Sequence, residues 1–378
     1  MTPTSPVELL PQSRRGLLLG ARGWAVVIVA LALIAVVVPL LNLALPAGSP
    51  LHLGDWGVAL VAKIMCYAMC ALAMDLIWGY TGILSLGHGL YFALGGYAMG
   101  IYLMRQIGRD GNYRSDLPDF MVFLDWKALP WHWAGSASLG FQVFLVVAVP
   151  ATVAGVFGWF AFRSRIKGVY FSIITQALTF AGMLLFFRNE TGFGGNNGFT
   201  DFKRILGAPI AAPSTRMLLF VVTGLTLVGF YLLARAIVNS KYGRVLQAIR
   251  DAETRVMFTG YDPLKYKLSI WVLSAVMCGI AGALYVPQVG IINPSEMSPA
   301  ASIEMAIWAA VGGRGTLVGP IVGAFFVNGA KSWFTQAFPE FWLYFLGALF
   351  IAVTLFLPRG IMGIKDRLMK EKGVEVRG

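Results

Sequence analysis

Charged residues are scarce in this sequence: 13% of its 378 residues are Asp, Glu, Lys or Arg, whereas 57% are hydrophobic. A water-soluble domain needs more charge on its surface, so the composition excludes a soluble globular protein. Histidine and cysteine are rare as well, with three residues of each. The sequence has no HExxH motif, no paired His and Asp cluster and no Ser–His nucleophile arrangement, which argues against a membrane-embedded enzyme.

A GxxxxGK[ST] phosphate-binding loop is also missing from the sequence. If ATP drives the protein, ATP and Mg are therefore expected on separate ATPase subunits, with no cofactor or metal bound by this chain. The three cysteines, Cys66, Cys70 and Cys278, lie inside apolar stretches. This placement predicts small buried hydrophobic residues and not metal ligands or a disulfide.

Long apolar runs dominate the rest of the chain and predict an all-α fold, a polytopic transmembrane helical bundle of about nine or ten spans. The runs are 24–45, 57–78, 89–105, 139–162, 169–187, 217–238, 268–290, 301–312, 316–335 and 340–357. The run 301–312 is too short to cross alone, so it is interpreted as a half-helix or re-entrant segment buried in protein.

The net charge of +12 does not point to nucleic acid, because the basic residues are spread between the apolar runs. If every run crosses, loops on one side hold 20 of the 30 Lys and Arg residues, which predicts that both termini are cytoplasmic. The predicted layout is a cytoplasmic tail 1–23, a transmembrane domain 24–358 and a basic cytoplasmic tail 359–378. Within that domain the outer loops are 106–138 and 188–216, and a cytoplasmic loop is 239–267.

The first outer loop contains four Asp residues and a cluster of three Trp residues. Two compatible interpretations stay open for it: a cap lying at the membrane interface, where Trp is favoured, or a docking face for a soluble solute-binding protein.

The cytoplasmic loop predicts a short amphipathic helix over 244–259, with Gly260 at its C′ position and Asp262–Pro263 starting the next helix. Acidic residues are interleaved with the arginines, which favours docking in a groove of a soluble protein over binding to anionic lipid. The coupling residues expected here are Gly243, Arg244, Ala248, Arg250, Asp251, Glu253 and Gly260.

Polar residues within the apolar runs are candidates for a pore or gate, because ionisable groups are costly inside a membrane. These candidates are Asp75, Ser85, His88, Thr175, Gln176 and Glu304. Two alternatives stay open for His88, which either gates the path or ties down a glycine-rich break between two spans. Glu304 is interpreted as a helix-start residue, and Lys63 as a side chain that snorkels to the outer surface.

Small residues at four-residue spacing predict close helix packing. They are Gly96 and Gly100 in the third run, and Gly315, Gly319 and Gly323, which are expected to share one helix face. Asn196 and Asn197 in the second outer loop either order that loop or contact the incoming solute.

Three stretches together resemble the branched-chain amino-acid/urea permease family of ABC importers. They are DLIWGYTGILSLGHGLYFALGGYAMG (75–100), GRVLQAIRDAETRVMFTGYDPLKYK (243–267) and IEMAIWAAVGGRGTLVGPIVGA (303–324). The resemblance implies a subunit of a bacterial inner-membrane importer, with the second stretch docking on the ATPase. The implied partners are a second homologous permease, two cytoplasmic ABC ATPases, a periplasmic solute-binding protein and membrane lipid.

Two outer stretches, DFMVFLDWKALPWHW (119–133) and NETGFGGNNGFTDFKRI (189–205), resemble the urea-type permeases of this family. Urea is therefore the expected solute, and branched-chain amino acids are the alternative. A stand-alone channel or ion-coupled carrier is a further alternative. It is disfavoured because no repeat is apparent and a channel has no use for the amphipathic loop helix.

Overall fold

The computed structural model describes residues 18–46, 48–49, 51–341, 344, 347–348, 351 and 360–363. Its α-helices are α1 (Ala21–Ala32), α2 (Asp55–Thr81), α3 (His88–Arg105), α4 (Asp119–Phe123), α5 (Leu139–Arg163), α6 (Val169–Phe186), α7 (Pro213–Asn239), α8 (Lys241–Phe258), α9 (Pro263–Val289), α10 (Pro299–Gly312) and α11 (Val318–Ala337). Helix α1 continues to Ala44 through two π-helical segments. Strand β1 (Phe199–Thr200) pairs with β4 (Ile291–Ile292), and β2 (Arg204–Ile205) pairs with β3 (Ala208–Pro209).

The polytopic helical fold predicted from the apolar runs is confirmed. Six helices of the described part are long and apolar enough to cross a membrane: α1 with its π-helical continuation, α2, α5, α6, α7 and α9. Helices α3 and α11 fall on the third and ninth predicted runs, and α10 on the short eighth run. The last predicted run, 340–357, and most of the two predicted tails lie outside the described residues.

Helices α2 and α9 form the centre of the bundle, with two thirds of their most apolar segments buried. The three cysteines lie here as fully buried free thiols, as the sequence predicts. Helix α3 packs tightly along α9 because glycines remove side chains from both surfaces. A Cβ atom added at Gly282 would overlap the backbone at Phe92, and one at Gly95 would overlap the backbone of Gly279.

Replacing Gly282 by Ala is expected to lower the free energy of unfolding by about 2–3 kcal/mol, because the overlapping atoms belong to a backbone that cannot move aside. The measurement is the thermal unfolding midpoint in detergent. Gly229→Ala in α7 is the matched control, since a Cβ atom there meets nothing within 4 Å. Equal midpoints for the two variants would contradict the packing argument.

Two segments without α-helix enter the bundle and meet where α3 and α10 begin. Residues 82–87 lead from α2 to α3, and residues 290–298 lead from α9 to α10. The two α-helices begin next to each other, since the Gly89 backbone N–H donates to Ser302 Oγ at 3.0 Å. With 14 residues, α10 is about 21 Å long, which is shorter than the roughly 30 Å hydrocarbon core of a membrane. Non-helical backbone of this kind is tolerated at membrane depth only where protein or water surrounds it.

Candidate functional site

Helix α8 lies across one end of the bundle, called here the α8 end, between the last turn of α7 and the first turn of α9. Ser240 begins it as the N-cap, accepting from the Gly243 N–H at 3.2 Å. Gly260 follows it at a φ of 84°, and Asp262 caps α9 by accepting from the Leu264 N–H at 3.1 Å. The end of α8 and the start of α9 agree with those that the sequence predicts, whereas α8 begins three residues before the predicted start at 244. The helix is broken at Ala252, whose φ of −157° and ψ of 72° are not helical.

One face of α8 packs on the bundle and the other is open. Leu246, Ile249 and Val256 are buried, as the apolar spacing predicts, and Gly243 is buried against the end of α7. The open face carries Arg244, Ala248, Asp251, Met257 and Phe258, the last of these 88% exposed. An apolar ring this exposed on a charged helix is typical of a docking surface.

Two charged residues of α8 point toward the bundle. The Arg250 guanidinium donates from Nη1 to the Gly79 carbonyl oxygen at 2.8 Å and from Nε to Asp251 Oδ1 at 2.9 Å. Glu253 accepts from Lys267 at 2.5 Å and from Lys167 at 2.7 Å. Lys267 is buried and lies over the ring of Phe162. Arg250 and Glu253 therefore attach α8 to the end of α2, to the loop between α5 and α6 and to the start of α9.

Protonating Glu253 is expected to destabilise the protein at acidic pH. Burial raises the pKa of this carboxyl, but hydrogen bonds from Lys167 and Lys267 outweigh burial and hold the pKa below its usual value. The stabilisation is therefore complete above the unfolded-state pKa of about 4.3 and is lost as the pH falls through the lower folded-state pKa. Glu253→Gln should lower stability at pH 7 by about 2 kcal/mol, less than for a fully buried pair because Lys167 is half open to solvent.

The measurement for this prediction is the unfolding midpoint from pH 3 to pH 7. The acid-dependent decrease should be smaller in Glu253→Gln than in the parent protein. Asp251→Asn serves as the control because this carboxylate is exposed. A parent and a Glu253→Gln variant with the same acid dependence would refute the assignment.

Asp75 holds the loop between α10 and α11 at the α8 end. Its carboxylate is fully buried and accepts from the backbone N–H groups of Gly315 and Leu317, the latter at 3.0 Å. Tyr80 donates its hydroxyl to the Gly315 carbonyl at 2.8 Å. Asp75 is thus an anchor for a loop, which differs from the pore or gate role suggested by the sequence.

Gly315 lies in this loop, before α11, so the prediction that it shares a helix face with Gly319 and Gly323 is wrong.

The other predicted packing glycines contact backbone or side chains of neighbouring elements. Gly319 and Gly323 lie against Gly312 and Trp308 of α10. Gly96 lies against α9 and Ile292, and Gly100 against Phe199 of the outer loop.

His88 is enclosed at the start of α3 with both ring nitrogens bonded. Nδ1 lies 2.9 Å from Ser85 Oγ, and Nε2 lies 3.0 Å from Ser274 Oγ in α9. The ring is fully buried and meets Tyr91 and Trp271 edge to face. This geometry corresponds to the interpretation in which His88 ties down the break. Ser274 is about 16 Å along α9, so the break penetrates well into the bundle.

Helix α6 supports the same break. Buried Thr175 accepts from the Leu86 N–H at 3.1 Å, and Ser172 donates to the Leu84 carbonyl at 2.8 Å. Gln176 is half-buried beside them on α6. Thr175 and Ser172 therefore hold the backbone of the break.

A cluster of charged and phenolic side chains, called here the charged cluster, lies beside residues 290–298, which lead from α9 to α10. Its members are Lys63 and Tyr67 of α2, Tyr285 of α9, Glu296, Glu304 of α10 and Lys331 of α11. Lys331 Nζ lies 2.9 Å from each carboxylate oxygen of Glu304. Tyr67 donates to the Tyr285 hydroxyl at 3.5 Å, and Tyr285 donates to Glu296 Oε1 at 3.3 Å.

Two predictions about this cluster are wrong. Glu304 does not begin α10, because Ser298 caps that helix by accepting from the Ala301 N–H at 3.3 Å. Lys63 does not snorkel to the outer surface: its Nζ lies 5.7 Å from the ring centroid of Tyr67, one turn further into the bundle. Favourable charge and ring contacts inside the protein replace the interfacial water that snorkelling would supply.

The two outer loops pack on each other at the end opposite α8, forming what we call the cap (106–138 and 187–212). Phe199 contacts Phe120 and Trp133 from the first loop, with ring centroids 5.5 and 5.6 Å apart. Asn196 and Asn197 are exposed on a 3₁₀ turn of the cap. Asn197 borders a cavity of about 340 Å³ that Asp119 and Asn189 also line.

Several site residues escaped the sequence analysis. Lys331 and Glu296 are charged members of the charged cluster. Lys267 is the ion-pair partner of Glu253, and Ser274 is the hydrogen-bond partner of His88. The signal for Lys331 was its position inside an apolar run, where an ionisable residue needs a partner. Glu296 and Lys267 lie at the edges of runs, where charge is ordinary.

Known proteins similar to this chain are transport permeases. The sequence profile of the family described as branched-chain amino acid transport system / permease component matches residues 58–354. The high-affinity branched-chain amino acid transport system permease protein LivM of Salmonella typhimurium strain LT2 is 22% identical over 87% of this chain and 75% of its own length. LivM of Escherichia coli strain K12 is 23% identical over 89% of this chain and 77% of its own length.

A more distant relative has a different solute in its name. The ribose import permease protein RbsC of Escherichia coli strain K12 is 23% identical over 49% of this chain and 60% of its own length. No solved structure matches the chain significantly.

Proposed function

Because the chain belongs to the family of permease components of branched-chain amino acid transport systems, we propose that it forms half of the translocation path of an ATP-driven importer for urea. The chain is a multi-pass membrane transport subunit and not an enzyme. The observation that supports an ATP-driven importer is the arrangement of α8. Its inner face is bonded to the ends of the bundle helices through Arg250 and Glu253, and its outer face is open.

This arrangement suits a subunit that receives motion from another protein. A soluble ATPase docked on the open face would move α8, and α8 is attached to the end of α2, to the loop between α5 and α6 and to the start of α9. We therefore place the α8 end in the cytoplasm and the cap outside the bacterial inner membrane. The proposed partners are two ABC ATPases that hold ATP and Mg, a second homologous permease and a periplasmic solute-binding protein that meets the cap.

Urea is proposed as the solute on the strength of the cap. The stretches 119–133 and 189–205, which both resemble urea-type permeases, contact each other through Phe120, Trp133 and Phe199 and so belong to one structural unit. The specific observation favouring branched-chain amino acids is the similarity to the LivM permeases, which are named for branched-chain amino acid transport and are 22–23% identical. Identity this low leaves room for a change of solute between relatives.

The test is uptake into liposomes that hold this chain with its second permease and ATPases, supplied with the solute-binding protein. We expect ATP-dependent uptake of labelled urea and none of labelled leucine. Leucine uptake without urea uptake would overturn the assignment of urea as the solute but not the assignment of the chain to an importer. Urea uptake by this chain alone, without ATP or partners, would overturn the importer.

A further inference from the structure

The charged cluster lies at membrane depth and is partly open on the surface of the isolated chain. Lys63 is about 12 Å along α2 from its cap end, and Lys331 is about 20 Å along α11 from the α8 end. The side chains of Lys331 and Glu304 remain 36% and 23% exposed, and Lys63 is half-buried. Charged side chains are rarely stable against lipid at this depth, so this face lies against water or protein.

Two features of the cluster point to a path for solute. First, Glu296 lies in the 3₁₀ turn Pro294–Met297, where the chain leaves α-helical geometry between α9 and α10, and transporters commonly place their solute sites at such breaks. Second, the charges are unequally paired. Lys331 and Glu304 satisfy each other in a two-oxygen ion pair, whereas no carboxylate in the described part of the chain lies within 4 Å of Lys63 Nζ.

We propose that the face carrying Lys63, Glu304 and Lys331 lines the translocation path, and that Lys63 donates to the carbonyl oxygen of the solute there. The inference rests on the proposed importer function and adds a site to it. The chemical class that fits is a small neutral amide. Its oxygen accepts from the Lys63 ammonium, and its N–H groups donate to the Glu296 carboxylate or to the Tyr67 and Tyr285 hydroxyls. The Glu304–Lys331 pair keeps the surrounding wall polar without adding net charge.

The first test is the reactivity of introduced cysteines toward a charged, membrane-impermeant thiol reagent in the assembled importer. Ala300→Cys lies one turn before Glu304 on the same exposed face of α10 and breaks no ion pair. The native cysteines are fully buried, so the reagent reports on the introduced thiol. Val36→Cys, 52% exposed in the π-helical continuation of α1, is the lipid control. Trp131→Cys, 87% exposed in the cap, is the water control, and the importer is assembled without the solute-binding protein so that the cap stays open.

We expect Ala300→Cys to react within about tenfold of the rate of Trp131→Cys and far faster than Val36→Cys, because only a hydrated thiol forms the reactive thiolate. Saturating solute should slow the reaction at Ala300→Cys alone. A rate as slow as that of Val36→Cys would overturn the proposal, since the face would then be covered by lipid or by the second permease. The rates measured without solute do not depend on which solute the importer carries, so they separate failure of the path from failure of the urea assignment.

The second test concerns Lys63 itself. Lys63→Met should raise the KM for uptake about tenfold, the loss of one charge-assisted hydrogen bond, while ATPase activity and unfolding midpoint stay at parent values. Lys63→Arg keeps a donor and should retain most of the affinity. An unchanged KM in Lys63→Met would overturn the role of Lys63, and a fall in midpoint without a change in KM would make it a structural residue.

Discussion

Removing the Arg250 guanidinium is expected to uncouple ATP hydrolysis from transport. In Arg250→Ala, α8 loses its hydrogen bond to the Gly79 carbonyl at the end of α2, while the open face of α8 keeps Arg244 and Phe258. The ATPase should therefore still dock and hydrolyse ATP. A hydrogen bond from a charged donor contributes about 1.5–3 kcal/mol, so solute moved per ATP hydrolysed should fall about 10- to 100-fold.

The measurement is the ratio of solute uptake to phosphate release in liposomes holding the complete importer. Arg250→Lys should fall between parent and Ala, because an ammonium can reach one acceptor but cannot reproduce the guanidinium fork that also binds Asp251. Lys265→Ala, which removes a cation that is 80% exposed at the start of α9, is the matched control and should keep the parent ratio. If Arg250→Ala keeps the parent ratio of solute uptake to phosphate release, the motion of α8 reaches the bundle through contacts other than Arg250.

The sequence predicts the helices of this protein better than the contacts between them. Hydropathy locates the spans because each crossing needs an apolar stretch of its own, and that requirement is local. The C-terminal end of α8 and the start of α9 were predictable for the same reason, since Gly260 and Asp262–Pro263 carry their conformational preferences wherever they occur. The break at Ala252 was not predictable, because Ala favours a helix and tertiary contacts override that preference.

The site residues depend on pairings between distant parts of the chain, which periodicity does not reveal. Glu304 was singled out, but Lys331, its partner 27 residues later, was not. Gly315 was assigned to the wrong element because a four-residue spacing looks helical even when it begins in a loop. The run Gly312–Gly313–Arg314–Gly315 is a stronger signal for that loop, since Gly313 and Gly315 both have positive φ.

Replacing Asp75 by Asn should destabilise the protein and abolish uptake. The loop 313–317 has three residues with positive φ, Gly313, Gly315 and Leu317, and for Leu317 that conformation is strained. The Asp75 carboxylate offsets the strain by accepting from two backbone N–H groups. Asn supplies one acceptor oxygen and turns an amide donor toward the second N–H. The contact with Leu317 is buried and that with Gly315 is partly buried. At about 1–3 kcal/mol for each of the two groups left unsatisfied, the N–H and the Asn amide, the expected loss is about 4 kcal/mol.

The measurements for Asp75→Asn are the unfolding midpoint in detergent and ATP-dependent uptake, and the comparison is Asp262→Asn. The Asp262 carboxylate also accepts from a backbone N–H, at 3.1 Å, but its side chain is half exposed, so water can replace the lost acceptor. Its loss should cost about 1 kcal/mol or less, in the range of ordinary N-caps. If the two variants lose equal stability, burial of Asp75 is not what makes it an anchor. If Asp75→Asn keeps its stability but loses uptake, the carboxylate acts on the moving parts of the path, as the sequence first suggested, and not on the loop.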